Sequence, residues 1–218
     1  MMSSKMLKSA MAMALAGGFF AGAVQAYEAG DWVVRGGIWG VFPESDNLTF
    51  TIPPPPRGGT RATLEVDDAY SFGFNVTYMI NPNIGVELLG AWPFKHDISI
   101  NGLGDVAETK HLPPTVSVQY HFMPSGSIHP YVGLGLNYTT FFSEKTKGAL
   151  EGASLKLDDS WGVAGQLGID VDVAPNWFVN ADLRYISIST DATVSGLGKI
   201  GTVDINPWVF GLNVGTHF

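Results

Sequence analysis

The sequence contains no cysteine, carries little charge and, beyond its first residues, has no long apolar run. The missing cysteines exclude a disulfide framework and a thiolate centre, yet say nothing about compartment, since an exported protein can do without disulfides. Charged residues make up 15% of the 218, low against roughly 25% in soluble domains. After residue 26 no stretch approaches the roughly 18–20 continuous apolar residues of a spanning helix. Helical periodicity is almost absent too, so the length fits one all-β domain better than two small ones.

The first apolar run has its own explanation. Lys5 and Lys8 make a basic start, Met11 to Val24 is apolar, and Val24-Gln25-Ala26 is a small-residue cleavage box. That order predicts a secretory signal peptide over residues 1–26, cut between Ala26 and Tyr27, with no basic stop-transfer flank to make it an anchor. Its removal takes two lysines and no acid, leaving ten bases against twenty acids, a net charge of −10. A mature chain of 27–218 with that balance is a poor partner for nucleic acid.

What the mature chain does have is alternation. Eight segments run with period two, at roughly 31–43, 68–80, 84–98, 109–122, 130–143, 158–173, 177–191 and 204–218. Three joints are short and turn-forming: Asn81-Pro82-Asn83, Met123 to Ile128 and Ala174-Pro175-Asn176. Four are longer: 44–67, 99–108, 144–157 and 192–203. Short turns alternating with long loops predict an all-β fold: an eight-stranded antiparallel transmembrane β-barrel with short periplasmic turns and longer extracellular loops.

Alternation alone does not say which face is inside, because a soluble lipocalin-like barrel alternates as well. The aromatic residues decide. Trp32, Tyr78, Phe122, Trp177 and Phe218 mark the low end of the apolar face, and Phe42, Trp92, Phe94, Phe142, Trp161 and Trp208 the high end. Two belts about ten residues apart are what a tilted strand crossing hydrocarbon requires. The partner of the outer face is therefore outer-membrane lipid, and the terminal Phe218 is the expected handle for the outer-membrane assembly machinery.

The segments "NPNIGVELLGAWPFKHDI", "HLPPTVSVQYHF", "PYVGLGLNYTTFF", "LDDSWGVAGQLGIDVD" and "DINPWVFGLNVGTHF", with "YEAGDWVVRGG" at the start, closely resemble the outer-membrane protein W family, a group that includes alkane-uptake barrels. The likeness spans the mature chain; the "TIPPPPRGG" of the first loop departs from it. It implies the outer membrane of a Gram-negative bacterium and a passage for small hydrophobic solutes. It also matches Leu89 of "GVELL" to a channel-lining leucine, and puts Arg184 where relatives carry a large aromatic.

The lumen is legible from the inward parity. An eight-stranded barrel leaves room only for side chains or one small ligand. Near the turn end the inward positions are polar: Arg35, Asn75, Glu87, Gln119, His121, Asp170, Asp172, Asp182 and Asn213, with Arg184 slightly higher. Guanidinium groups among carboxylates in a narrow tube predict a paired polar plug, formed by Arg35, Glu87, Gln119, Asp170, Asp172, Asp182 and Arg184. Higher up, Trp39, Leu89, Ala91, Phe141, Ile186, Ile188 and Val209 predict a hydrophobic channel. A guest that enters above a charged plug has its lowest-cost exit sideways, into lipid.

Proline has no N–H to give a ladder, and five prolines fall near one height, about 20–28 Å above the turns. Pro93, Pro113 and Pro114 lie on neighbouring segments; Pro43 and Pro207 lie on the first and last, which close the barrel. These five are the candidate lateral opening, at either seam; the bland account is that strands end where they leave the membrane. The family resemblance, which implies lateral escape, favours a door. No catalytic constellation stands out, and neither a cofactor nor a metal is expected: His96 and His111 flank the second long loop with no third ligand, and such pairs usually solvate a loop. The reading is thus a non-enzymatic passage for small hydrophobic molecules. The alternatives are a surface receptor or adhesion barrel binding phage, bacteriocin or host, and a lipid-modifying barrel enzyme.

Overall fold

The computed structural model describes residues 26–44, 48–52, 60–196 and 198–218. The predicted leader (residues 1–25 of it) and the proline run of the first loop lie outside the described residues. Fifteen strands follow in chain order: β1 Trp32–Phe42, β2 Leu48–Ile52, β3 Thr60–Val66, β4 Ala69–Asn81, β5 Ile84–Ala91, β6 Phe94–Ile100, β7 Gly104–Leu112, β8 Thr115–His121, β9 Ile128–Thr146, β10 Leu155–Leu157, β11 Ser160–Ala174, β12 Trp177–Ile186, β13 Ser189–Val194, β14 Gly198–Asp204 and β15 Trp208–His217. Eight of them, in the order β11-β12-β15-β1-β4-β5-β8-β9, close into a ring through the β9–β11 pair. Every neighbour in the ring is antiparallel.

Short turns set this register. Asn81 folds its side chain back so that Oδ1 accepts from the backbone N–H of Asn83 and of Ile84, each at 2.9 Å, pinning the β4–β5 joint. Asn176 holds φ +61° between β11 and β12, a conformation asparagine tolerates. The chain ends are stitched: Trp32 N–H donates to Phe218 O at 2.9 Å and Phe218 N–H to Trp32 O at 3.1 Å. No sheet edge is left within the ring, which removes the template for aggregation.

The burial pattern is inside-out relative to a soluble barrel. Leu134, Trp161, Val163 and Phe218 are 77%, 75%, 65% and 70% exposed, while Arg35, Glu87, Gln119, Asp170 and Arg184 are at most 0% exposed. An apolar outer face and a polar lumen fit lipid as the solvent.

Among the described residues, each of the four long connections carries strand structure. Above the membrane ring, β9 continues upward and carries a second sheet, β9-β7-β6-β3-β2, and a separate three-stranded sheet β10-β13-β14 stands beside it. Two predicted strands are each split by proline: 84–98 into β5 and β6 around Trp92-Pro93, and 109–122 into β7 and β8 around Pro113-Pro114. The split at Pro93 also changes parity. Trp92 points out at 60% exposed, but Phe94, placed by the sequence in the outer aromatic belt, is 2% exposed and faces inward. An irregular residue between two strands resets the two-residue alternation, so Phe94, His96, Ile98 and Ile100 all turn to the interior.

Candidate functional site

The predicted plug residues meet as a continuous network. Arg35 forks onto Asp170, Nε to Oδ1 at 2.9 Å and Nη2 to Oδ2 at 2.6 Å, and Nη1 reaches Thr77 at 3.1 Å and Asn75 at 3.3 Å. Asp170 also accepts from Tyr27 Oη at 2.9 Å and Asn180 Nδ2 at 2.8 Å. One layer up, Arg184 grips two carboxylates. It donates to Glu87 through Nη1 at 2.7 Å and Nη2 at 3.1 Å, and to Asp182 through Nε at 2.7 Å and Nη2 at 3.0 Å. Gln119 Nε2 donates to Glu87 at 2.8 Å. Tyr131 couples the layers, its ring 5.1 Å from the Arg35 guanidinium carbon and its hydroxyl donating to Asp182 at 2.7 Å. Charge-assisted, forked bonds of this kind let a narrow tube hold ions without water. Asp172 stands apart, its side chain 14% exposed and 3.4 Å from His129.

Tyr27 closes the bottom, and nothing in the alternation pointed to it. Its ring stacks on His129 at 4.5 Å and meets His121 and His217 edge-on at 5.3 and 5.2 Å. Tyr131, Thr77 and Asn180 are not among the predicted plug residues, although each lies on an inward position of a predicted strand.

Trp39 is the roof of the charged layer. Its ring lies 5.1 Å over the Arg184 guanidinium carbon. The indole lies flat across the lumen because its neighbours are glycines: a Cβ on Gly73 would come within 2.6 Å of the ring and one on Gly211 within 2.8 Å. Above it Trp39, Leu89, Phe141, Ile186, Ile188 and Val209 join a single buried apolar cluster, with Ala91 packed against it. All seven predicted channel residues therefore occupy one continuous body.

That body continues into the extracellular sheets, where side chains line a narrow, partly open space of about 550 Å³ counted to its mouth, of which about 30 Å³ is free to a water-sized guest. Phe141 and Ile188 are the only predicted channel residues on its wall; Leu64, Ile98, Leu157, Val203 and Ile205 come from segments the sequence assigned to loops or strand ends. His96 and His111 meet there rather than solvating a loop. Their rings stack 4.8 Å apart and are 2% and 5% exposed. Burial lowers the pKa of both imidazoles, that of His111 to about 3. Among the described residues no group of three or more His, Cys, Asp or Glu is placed to hold a metal ion. Asp158, Asp159 and Ser160, adjacent in sequence, bond to separate partners: Lys156, Tyr138 and the backbone of Ser189.

The prolines at the two seams differ. Pairing of β5 with β8 stops at Leu89↔Thr115, and pairing of β6 with β7 resumes at Phe94↔His111. Between them, Gly90–Pro93 and Leu112–Pro114 face each other with no ladder pair. Each edge is tied outward instead: Trp92 N–H donates to Phe72 O at 2.8 Å on β4, and Pro114 O accepts from Tyr138 N–H at 3.0 Å on β9. In an antiparallel strand the polar groups of successive residues point to opposite neighbours. Ala91, Pro93 and Pro113 are thus the residues turned to the seam, and of these only Ala91 has a donor, whereas Pro114 is turned to β9. Pro43 and Pro207 lie just past the last pair of their ladder. The β1–β15 ladder runs unbroken from Val33↔His217 to Phe42↔Trp208, and Glu44 N–H continues it to Ile205 O at 2.8 Å. These two prolines fall at the strand ends, and no ladder pair is missing below them.

Comparison with known proteins agrees with this architecture. Residues 28–218 match the model of the OmpW family. The chain is 43% identical to outer membrane protein W of Vibrio cholerae over 208 residues, 89% of this chain and 92% of that one. It superposes on the crystal structure of OprG from Pseudomonas aeruginosa with a TM-score of 0.78 at 37% identity, covering 90% of this chain and 99% of the other. It superposes on the solid-state NMR structure of AlkL in lipid bilayers with a TM-score of 0.69 at 27% identity, covering 93% and 96%. The chain belongs to the OmpW family and is a β-barrel of the Gram-negative outer membrane.

Proposed function

We propose that this barrel carries small hydrophobic molecules from the cell exterior into its apolar upper lumen and releases them sideways into the outer leaflet, through the seam between Gly90–Pro93 and Leu112–Pro114. The observation that carries the reading is a coincidence of level. Leu89 belongs both to the apolar cluster and to the last rung below the seam. Directly beneath the cluster, Trp39 and the Arg184–Glu87–Asp182 layer bar the axis. A guest leaving downward would exchange apolar contacts for buried ions, at a cost of several kcal/mol. A guest leaving through the seam breaks no ladder bond. Charged pairing in the lower lumen serves, on this reading, as a plug to ions and polar solutes. Residues 1–26 are a leader removed on export, and Phe218, exposed on the outer face, is the handle for assembly.

The test supplies the missing donors. Pro93→Val with Pro113→Val adds an N–H to each edge of the seam, each new bond contributing about 0.5–1.5 kcal/mol to a closed wall. Pro114→Thr, which adds a donor toward β9 only, is the control. Uptake of an alkane such as octane by cells expressing the double variant should fall below wild type, with folding kept, while the control retains it. Ala91→Trp should lower uptake by filling the lumen and leaving the wall alone. Unchanged uptake in a folded Pro93→Val, Pro113→Val protein would sink the lateral route.

A further inference from the structure

We propose that the extracellular cavity is a selectivity site for apolar molecules bearing one neutral hydrogen-bond donor, such as phenols and aliphatic alcohols, and that His96 Nε2 is the acceptor that recognises them. The inference rests on the transport reading above and names a substrate class for it.

The tautomer of His96 follows from its partner. Nδ1 lies 2.5 Å from the backbone carbonyl oxygen of Asp67. A carbonyl only accepts, so Nδ1 carries the proton and donates. Nε2 is left with a lone pair, is buried and has no partner. Buried polar atoms are paired in the great majority of proteins, and an unpaired one next to an apolar cavity implies a group that arrives later. The surroundings define that group. Leu64, Ile98, Phe141 and Leu157 supply apolar walls, and among the described residues no carboxylate or ammonium lines the space. An ionised guest would find no counter-charge among these residues; a hydroxyl on an apolar body would find the free Nε2 lone pair set in a mostly apolar wall.

His111 shapes the site. Its ring is sandwiched between Phe94 at 5.4 Å and His96 at 4.8 Å, with interplanar angles of 20° and 23°. Stacked rings direct their in-plane lone pairs side by side and not at a common point, so the two imidazoles do not form a metal chelate. Thr109 and Thr190 hydroxyls already donate to backbone carbonyls of Lys110 and Asp158. They are not competing donors for the ligand.

The experiment uses a matched pair of probes, 4-tert-butylphenol and its methyl ether, which share an apolar body and differ in the donor. In cells producing the protein, the phenol should enter roughly two- to tenfold faster relative to the ether than bilayer permeation alone predicts, the size of one neutral hydrogen bond. His96→Phe should abolish that preference and leave ether uptake intact. In protein with nitrogen-15-labelled histidine, reconstituted in lipid, the phenol should shift a single unprotonated imidazole nitrogen and the ether should not. Equal uptake of both probes by the wild type, or a preference that survives in folded His96→Phe, overturns the selectivity while leaving transport standing. A protein that carries neither probe nor octane overturns the transport reading itself. Should His96→Phe fail to fold, the labelled wild type decides alone: a nitrogen that moves equally with both probes, or with neither, refutes the site.

Discussion

Replacing Arg35 by alanine removes the cation at the centre of the lower lumen and leaves its partner buried. Asp170 would keep Tyr27 and Asn180 as donors but lose the forked guanidinium at 2.6 and 2.9 Å. Asn75 and Thr77 would lose their contacts to Arg35 as well. Both charges are fully buried, so bulk water neither screens the intact pair nor solvates the survivor. Breaking such a pair by deleting one partner costs about 3–5 kcal/mol, whereas an exposed pair is worth about 0–1. With a urea slope of about 2 kcal/mol per molar, the unfolding midpoint in lipid vesicles should drop by roughly 1.5–2.5 M. The double variant Arg35→Met, Asp170→Leu removes both ions and restores volume. It should recover at least half of the loss, the remainder reflecting the donors of Tyr27 and Asn180 left without their acceptor. A loss under about 1 kcal/mol for Arg35→Ala would mean that the lumen is wet and the pair screened. The plug would then have no physical basis.

Three further outcomes are expected. In planar bilayers the wild-type barrel should show no large, steady conductance, because two guanidiniums and three carboxylates fill the lower lumen; a persistent porin-like current would refute the plug. The outer β6–β7 hairpin should loosen in acid. Burial holds the His111 pKa at about 3, below the roughly 6.5 of an unfolded chain, so its contribution is complete above 6.5 and is lost as pH falls toward 3. The groups facing His96 (Asp67, Asp68 and Asp97) would oppose that loss only while ionised. Amide exchange in 94–112 at pH 7 and 4 measures the change, and His111→Phe should remove most of it while leaving β8 and β11 unaffected. Finally, sequencing of the exported protein should begin at Tyr27; a start elsewhere would displace the predicted cleavage site.

How far the sequence could be read depended on whether alternation was left undisturbed. Within the membrane ring, a two-residue period places Glu87, Gln119, Asp170, Asp182 and Arg184 on inward positions without reference to anything else, and the structure buries every one of them. Partners were less legible. That Arg184 would take Glu87, 97 residues away, and not Asp170 depends on shear between strands, which no local pattern encodes. The outer sheets were missed for a different reason. Strands such as Leu155–Leu157 and Ser189–Val194 are short and lie among glycines, and segments of that kind read as loops until a neighbouring sheet covers one face. Tyr27 was invisible because it precedes the first strand and owes its place to His121, His129 and His217.

The same proline that weakens the wall also builds the cavity above it. Had the strand 84–98 continued without a fault, Phe94 and His96 would sit at even positions with Val86, Leu88 and Trp92, all facing lipid. A histidine there would point away from the cavity toward the membrane interface, and the β6 face now lining the cavity would be Lys95 and Asp97. The irregularity at Trp92-Pro93 shifts the phase by one residue, sending Lys95 outward to Glu108 at 3.0 Å and turning His96 inward to the Asp67 carbonyl. The missing ladder rungs and the inward histidine are therefore one structural event. Any change that restores a regular strand through residue 93 has to act on both: it closes the seam, and it drives the parity of β6 back toward the membrane phase. That coupling explains why the seam and the base of the extracellular cavity stand at the same level of the barrel.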